Sequence, residues 1–136
     1  MAIWFPTDDW IKALAADLNN SASYEEAAKN WEGDFYFIIE PGGSLAKPVT
    51  LYMDLWHGKC RDAYALATEN GHNPAFLITS PVANWKKVIT KKMDPIQGMM
   101  TGQLKLKGNM AVIMKNVKAA KELVESCTHI ETEFPI

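Results

Sequence analysis

The chain has 136 residues, 48% of them apolar and 22% charged, with a formal net charge of −2. That length suits one domain with its own hydrophobic core, and the composition is that of a globular protein, which excludes a disordered chain. The near-neutral charge gives no footing for nucleic acid, whose recognition starts from a basic surface, and no run reaches the ~18–20 apolar residues of a membrane span. Asp8 and Asp9 stand where a secretory leader needs positive charge, so a cytoplasmic protein with Cys60 and Cys127 as free thiols is expected.

Pro6-Thr7-Asp8-Asp9 predicts a helix start, with Thr7 capping the free amides and two carboxylates at the positive end of the helix dipole. Trp10, Ile11, Leu14 and Leu18 follow on one face at helical spacing. Ser23 with Glu26 reads as a capping box opening a short second helix to about Asn30. The period then changes to two. A strand from Trp31 to Glu40 sets Phe35, Phe37 and Ile39 against Tyr36 and Ile38. A second, from Val49 to Trp56, puts Val49, Leu51, Met53 and Leu55 on one face.

His57-Gly58-Lys59 is a turn and Asp62 to Thr68 a third strand. Asn70-Gly71 is a hairpin signal, because both residues tolerate positive φ, and Ala75 to Thr79 is the fourth strand of an antiparallel meander. Ser80 is expected to cap the next helix with Pro81 at its first position. Val82, Trp85, Val88 and Ile89 form its apolar face. Asp94-Pro95 opens another short helix, which Gly102 stops. Leu104 and Leu106 alternate with Lys105 and Lys107 in a strand. Asn109 caps a helix carrying Met110, Ile113 and Met114, and Asn116 breaks or recaps it before Val117 to Cys127. This order gives an α+β domain with helices mainly on one face of a largely antiparallel sheet.

The segment from Trp85 to Leu123 combines a Trp-bearing helix, the Asp94-Pro95 start, Gly102-Gln103-Leu104-Lys105-Leu106-Lys107-Gly108, and the helix after Asn109-Met110. In that order these features resemble the sterol-carrier-protein family, and with the upstream strands the resemblance spans about residues 23–127. Two departures stand out. Lys91-Lys92 replaces a common glycine before the Asp-Pro helix, and no Ser-Lys-Leu ending directs the chain to peroxisomes. The resemblance implies a single domain over 1–136 with a five-stranded, mostly antiparallel sheet, helices over one face and an apolar cavity between them. It implies binding or carriage of a fatty acid, fatty acyl-CoA, isoprenoid or sterol-like ligand, without catalysis or cofactor. The alternative is an accessory module presenting lipid to a separate enzyme.

Such a cavity needs apolar, adaptable walls. Met93, Met99, Met100, Met110 and Met114 fall within 22 positions, and thioether side chains reshape cheaply around different ligands. The expected ligand-binding residues are Phe35, Phe37, Met53, Trp85, Ile89, Ile96, Met99, Met100, Leu104, Leu106, Met110, Ile113 and Met114; each also reads as plain core. Met99 and Met100 on the short 94–101 segment are expected to form a gate. Nearby, Lys91 and Lys92 would meet an anionic headgroup or membrane, or merely form a solvated face. His57 and Cys60 invite a base–nucleophile reading, but the spacing supplies neither a base in reach nor a lowered thiol pKa. No Cys or His pair has metal-ligand spacing. Phe134-Pro135-Ile136 docks either on its own domain or on a second copy.

Overall fold

The computed structural model describes residues 2–66 and 73–136. The Asn70-Gly71 hairpin expected from the sequence lies outside these residues, as do the last residues of the expected third strand. In chain order the elements are β1 (Ile3–Trp4), α1 (Asp8–Asn19), α2 (Ala22–Ala27), β2 (Glu32–Glu40), β3 (Val49–Trp56), β4 (Lys59–Ala65) and β5 (Phe76–Pro81). Then come α3 (Val82–Ile89), α4 (Pro95–Met100), β6 (Lys105–Lys107), α5 (Met110–Met114), α6 (Val117–Thr128) and β7 (Thr132–Glu133).

Thr7 caps α1 as its sequence demands, its side chain accepting from the Trp10 amide, and Trp10, Ile11, Leu14 and Leu18 are all buried. Asp8 works outside its helix as well, accepting from the Ala65 amide at 2.9 Å and so tying α1 to the end of β4. The α2 cap differs from expectation. Ser21, in extended backbone, accepts from the Tyr24 amide at 3.1 Å, so the helix opens at Ala22 and Tyr24 turns into the core. Glu26 is then left to an exposed pair with Lys29.

The main sheet has the order β4-β3-β2-β5-β6. The β2–β3, β3–β4 and β5–β6 pairs are antiparallel and β2–β5 is parallel. The meander therefore stops at β4, and β5 lies beside β2 rather than following β4 as a hairpin. Phe35 faces Phe76 and Phe37 faces Ile78 across the parallel pair, and the Phe35 and Phe76 rings stack with centroids 5.1 Å apart. Alternation tells which face a residue takes; it does not tell which strand lies alongside. The β3–β4 turn is His57-Gly58, with φ of 48° and 81°, a two-residue loop of the kind favoured in twisted hairpins. That is why β4 starts at Lys59 rather than at Asp62.

One face of the sheet gives Phe35, Ile39, Leu51, Met53, Leu55, Phe76 and Ile78 to a core shared with the buried faces of the helices. The other face carries Tyr36, Tyr52 and Tyr64, in register across β2, β3 and β4. Ser80 belongs to β5 rather than capping α3. Its hydroxyl is buried and donates to the Gln103 carbonyl at 2.7 Å, which leaves Pro81 at the N-cap with no side-chain bond. Asp94 and Asn109 do cap α4 and α5. At α6, Asn116 turns its amide back to the Val112 carbonyl instead. The C-terminal segment docks on its own chain: β7 pairs in parallel with β1, Phe134 meets Phe5, and Ser44 holds the Pro135 carbonyl.

Candidate functional site

Between the sheet and the helices lies a pocket of about 100 Å³. Its floor is the inner face of the sheet, with Phe35 and Phe37 from β2, Leu55 from β3 and Ile78 from β5. Trp31 and Tyr24 close one part of the wall, while Trp85 and Val88 of α3, Pro95 and Met99 of α4, Leu104 and Ile113 form the rest. The roof is α6, which turns Ala119, Ala120, Leu123 and Val124 downward from Asn116. These positions follow the i, i+3, i+4, i+7, i+8 spacing of one helix face.

Two features keep the space open and apolar. Small side chains at Ala119 and Ala120 leave room that larger ones would fill. The aromatic nitrogens, for their part, are satisfied elsewhere: Trp31 Nε1 donates to the Gly33 carbonyl, and Trp85 Nε1 to the carbonyls of Ile38 and Ser80. Phe35 and Phe37 stack at 5.2 Å and the Trp85 ring meets Phe37 edge-on at 5.7 Å, which makes a stiff aromatic floor. Burial holds the Tyr24 phenol well above its ordinary pKa, so it stays neutral. Among the described residues no charged side chain lines the pocket.

Of the residues expected to bind ligand, Phe35, Phe37, Trp85, Met99, Leu104 and Ile113 line this pocket. Met53, Ile89 and Ile96 are core residues beyond its lining, and Leu106 and Met110 pack half-buried against the core. Met100 and Met114 lie outside the lining, being 64% and 44% exposed. In α4 the inward face runs from Pro95 to Met99, so Met100 is rotated about 100° away, and Met114 stands in the same relation to Ile113. The sequence reading missed the whole α6 roof, although its spacing was a usable signal.

His57 and Cys60 do not form a pair. The His57 Nε2 lies 2.6 Å from a Glu32 carboxylate oxygen, and the Cys60 thiol donates to the Asp62 carbonyl. Among the described residues no group of three or more metal-ligating side chains assembles. Lys91 is engaged with Glu125 at 2.7 Å. No helix among the described residues is long and apolar enough to cross a membrane.

Both cysteines are free and buried. Burial pushes the Cys60 thiol up to about 11 and the Cys127 thiol up to about 12, from an ordinary 9.0. Above pH 9 the unfolded chain releases these protons first, so it binds fewer than the folded state. The thiols' contribution to stability is therefore complete below pH 9 and is lost as pH rises through 11 to 12. Urea titrations at pH 8 and pH 10 should show a larger loss for the native chain than for a Cys60→Ser/Cys127→Ser variant; equal losses would refute the burial of the thiols.

A family model for the SCP-2 sterol transfer family matches residues 11–121. The chain belongs to this family. A crystal structure of sterol carrier protein 2 is 32% identical, with a TM-score of 0.80, and the match covers 91% of this chain and 97% of that one. A conserved hypothetical protein of Thermus thermophilus, itself a candidate sterol carrier protein, is 33% identical with a TM-score of 0.84 over 93% and 90% of the two chains. The apo sterol carrier protein 2 of Yarrowia lipolytica, 18% identical with a TM-score of 0.60 over 85% and 87%, shares the fold. A comparison with curated proteins gives no match. The five-stranded, mostly antiparallel sheet with its helices matches the fold of these neighbours.

Proposed function

We propose that this protein binds and carries an apolar lipid-like molecule in the pocket between its sheet and α6, without chemical change to it. Fatty acid, fatty acyl-CoA, isoprenoid and sterol-like molecules are the candidate ligands. The observation that carries the reading is the wall itself, which among the described residues is lined by apolar and aromatic groups with Asn116 as its one amide side chain, and by no charged group. Burying a charged group there would cost several kcal/mol without a partner, so the pocket takes hydrocarbon. The absence of a nucleophile–base pair at Cys60 and His57 supports carriage over catalysis, and the raised Cys60 pKa disfavours the thiolate that a catalytic cysteine needs.

Extraction of the purified protein followed by mass spectrometry is the direct test, with a stoichiometric apolar lipid as the expected result. A chain that is empty and co-purifies with an enzyme would favour the lipid-presenting module instead. Filling the roof tests the location. Ala119→Leu adds three carbons beneath α6 and should weaken binding of a fluorescent fatty acid by at least about tenfold, while overpacking costs about 1–3 kcal/mol of stability. Unchanged affinity in a folded Ala119→Leu protein would place the ligand elsewhere.

A further inference from the structure

The Ser21 cap sets the phase of α2 so that Tyr24 turns inward, where it is 1% exposed and lines the pocket. Its hydroxyl makes no hydrogen bond with the described residues. The other polar groups of the wall are engaged: Trp31 and Trp85 donate to backbone carbonyls, and the half-buried Asn116 donates to the Val112 carbonyl. Cys60, which acts on the phenol from β4, offers no partner either, because its thiol is neutral and donates to the Asp62 carbonyl. Among the described residues no side-chain oxygen or nitrogen is both sealed off and unbonded. The Tyr24 oxygen therefore borders open space, and the space this residue lines is the pocket.

A hydroxyl held there is costly in the empty protein, since folding strips its water and gives no bond in return. Phenylalanine would fill nearly the same volume without that cost, as Phe35 and Phe37 do in the floor. A lone donor in an apolar wall is the means by which ligand pockets fix one polar atom of a guest. Charge lies on another surface. An outer cleft of about 420 Å³ between the end of α3, α4 and α6 shares Pro95 and Val124 with the pocket, and two lysines and three carboxylates line it.

We propose that Tyr24 is the polar contact of the pocket, donating its hydroxyl to the uncharged carbonyl oxygen of a lipid ketone, aldehyde or ester. The hydrocarbon of that ligand takes the aromatic floor. One donor matches one acceptor here. A carbonyl brings lone pairs and no proton, so the bond leaves neither partner unpaired. An alcohol that accepts from Tyr24 adds a proton that needs an acceptor in turn. An ionised acid is the stronger acceptor, but its charge would be buried without a cation, so its carboxylate stays outside and only its chain enters.

This inference rests on the carrier reading, and the test separates the two. A long-chain methyl ketone, the secondary alcohol and the fatty acid of one chain length are titrated into the protein by calorimetry at pH 8, where the acid is ionised. The ketone should bind at least about fivefold tighter than the acid, the size of one hydrogen bond, with the alcohol between them. Tyr24→Phe should bring the three to within about twofold by weakening the ketone alone. Its urea midpoint should stay or rise, because the lost hydroxyl had no partner to give up. In the native protein the infrared carbonyl band of the bound ketone should lie below its position in hydrocarbon solvent. An acid or alcohol that binds as tightly as the ketone, or a preference that survives Tyr24→Phe, overturns the assignment and leaves the carrier reading standing. So does a lowered urea midpoint or a carbonyl band at its hydrocarbon position. If none of the three ligands binds the native protein, both readings fall.

Discussion

Replacing Trp85 with alanine should lower the free energy of unfolding by about 3–5 kcal/mol, the range for truncating a large buried aromatic. The indole is 7% exposed. It does two things at once: its ring closes α3 onto Phe37, and its nitrogen donates to the carbonyls of Ile38 on β2 and Ser80 on β5 at 3.2 and 3.0 Å. Alanine removes the packing and leaves both carbonyls without that donor. In a urea titration the midpoint should fall with the slope unchanged, since the unfolded surface is nearly the same. Trp85→Phe keeps most of the volume and loses only the donor, so its cost should lie nearer the ~1 kcal/mol of a single hydrogen bond. A loss below about 1 kcal/mol for alanine, the size of a surface effect, would mean that α3 is held by something other than this face. The void also adjoins the pocket, so an apolar ligand that enters it should recover part of the loss by mass action.

Trp85 was legible in the sequence because its signal is local. A helix face repeats within one turn, and Val82, Trp85, Val88 and Ile89 show it. The caps at Thr7, Asp94 and Asn109 were legible for the same reason, since each bonds an amide two or three residues ahead. Failures came where a local signal had two local solutions or a distant one. Ser23 has the capping-box spacing, but Ser21 takes the cap first. Ser80 precedes a proline as an N-cap would, yet its hydroxyl is claimed by Gln103, twenty-three residues on. The place of β5 beside β2 is set by aromatic contacts among Trp31, Phe35 and Phe76, which no window of adjacent residues contains.

The site divides along the same line. Bulky wall residues such as Phe35, Phe37, Met99 and Leu104 announce themselves as apolar in a periodic pattern. The roof depends instead on Ala119 and Ala120 being small, and a pocket is made by what is absent. Alanine in a helix is otherwise explained by propensity alone, so only their place on the 116–124 face, and not their residue type, marked these two. The methionine density around residues 93–114 overstated the wall for a related reason: composition has no phase. Once α4 and α5 have a phase, Met99 faces the pocket while Met100 and Met114 face solvent.

That phase sharpens how a ligand gets in. The pocket holds about 100 Å³, less than the ~300 Å³ at the low end of ligand sites, so binding has to move part of its wall. α4 is the part expected to yield. It has six residues, and so short a helix has little stability of its own in water. Ile96 and Gly98 are its buried residues, and it lies next to the outer cleft through Pro95. β3, by contrast, is hydrogen-bonded on both sides, to β2 and to β4. Amides from Ile96 to Thr101 should therefore exchange with deuterium roughly a hundredfold faster than those from Leu51 to Leu55, because local opening needs far less free energy than breaching the sheet. A bound fatty acid should slow the α4 amides by about tenfold or more and leave β3 nearly unchanged, since ligand stabilises the closed state by mass action. Met99 is the side chain that would swing, so Met99→Ala should raise the exchange rate of α4 without altering β3. If α4 exchanges as slowly as β3 and ligand does not affect it, the entrance is not at α4 and the wall that yields must be the α6 roof.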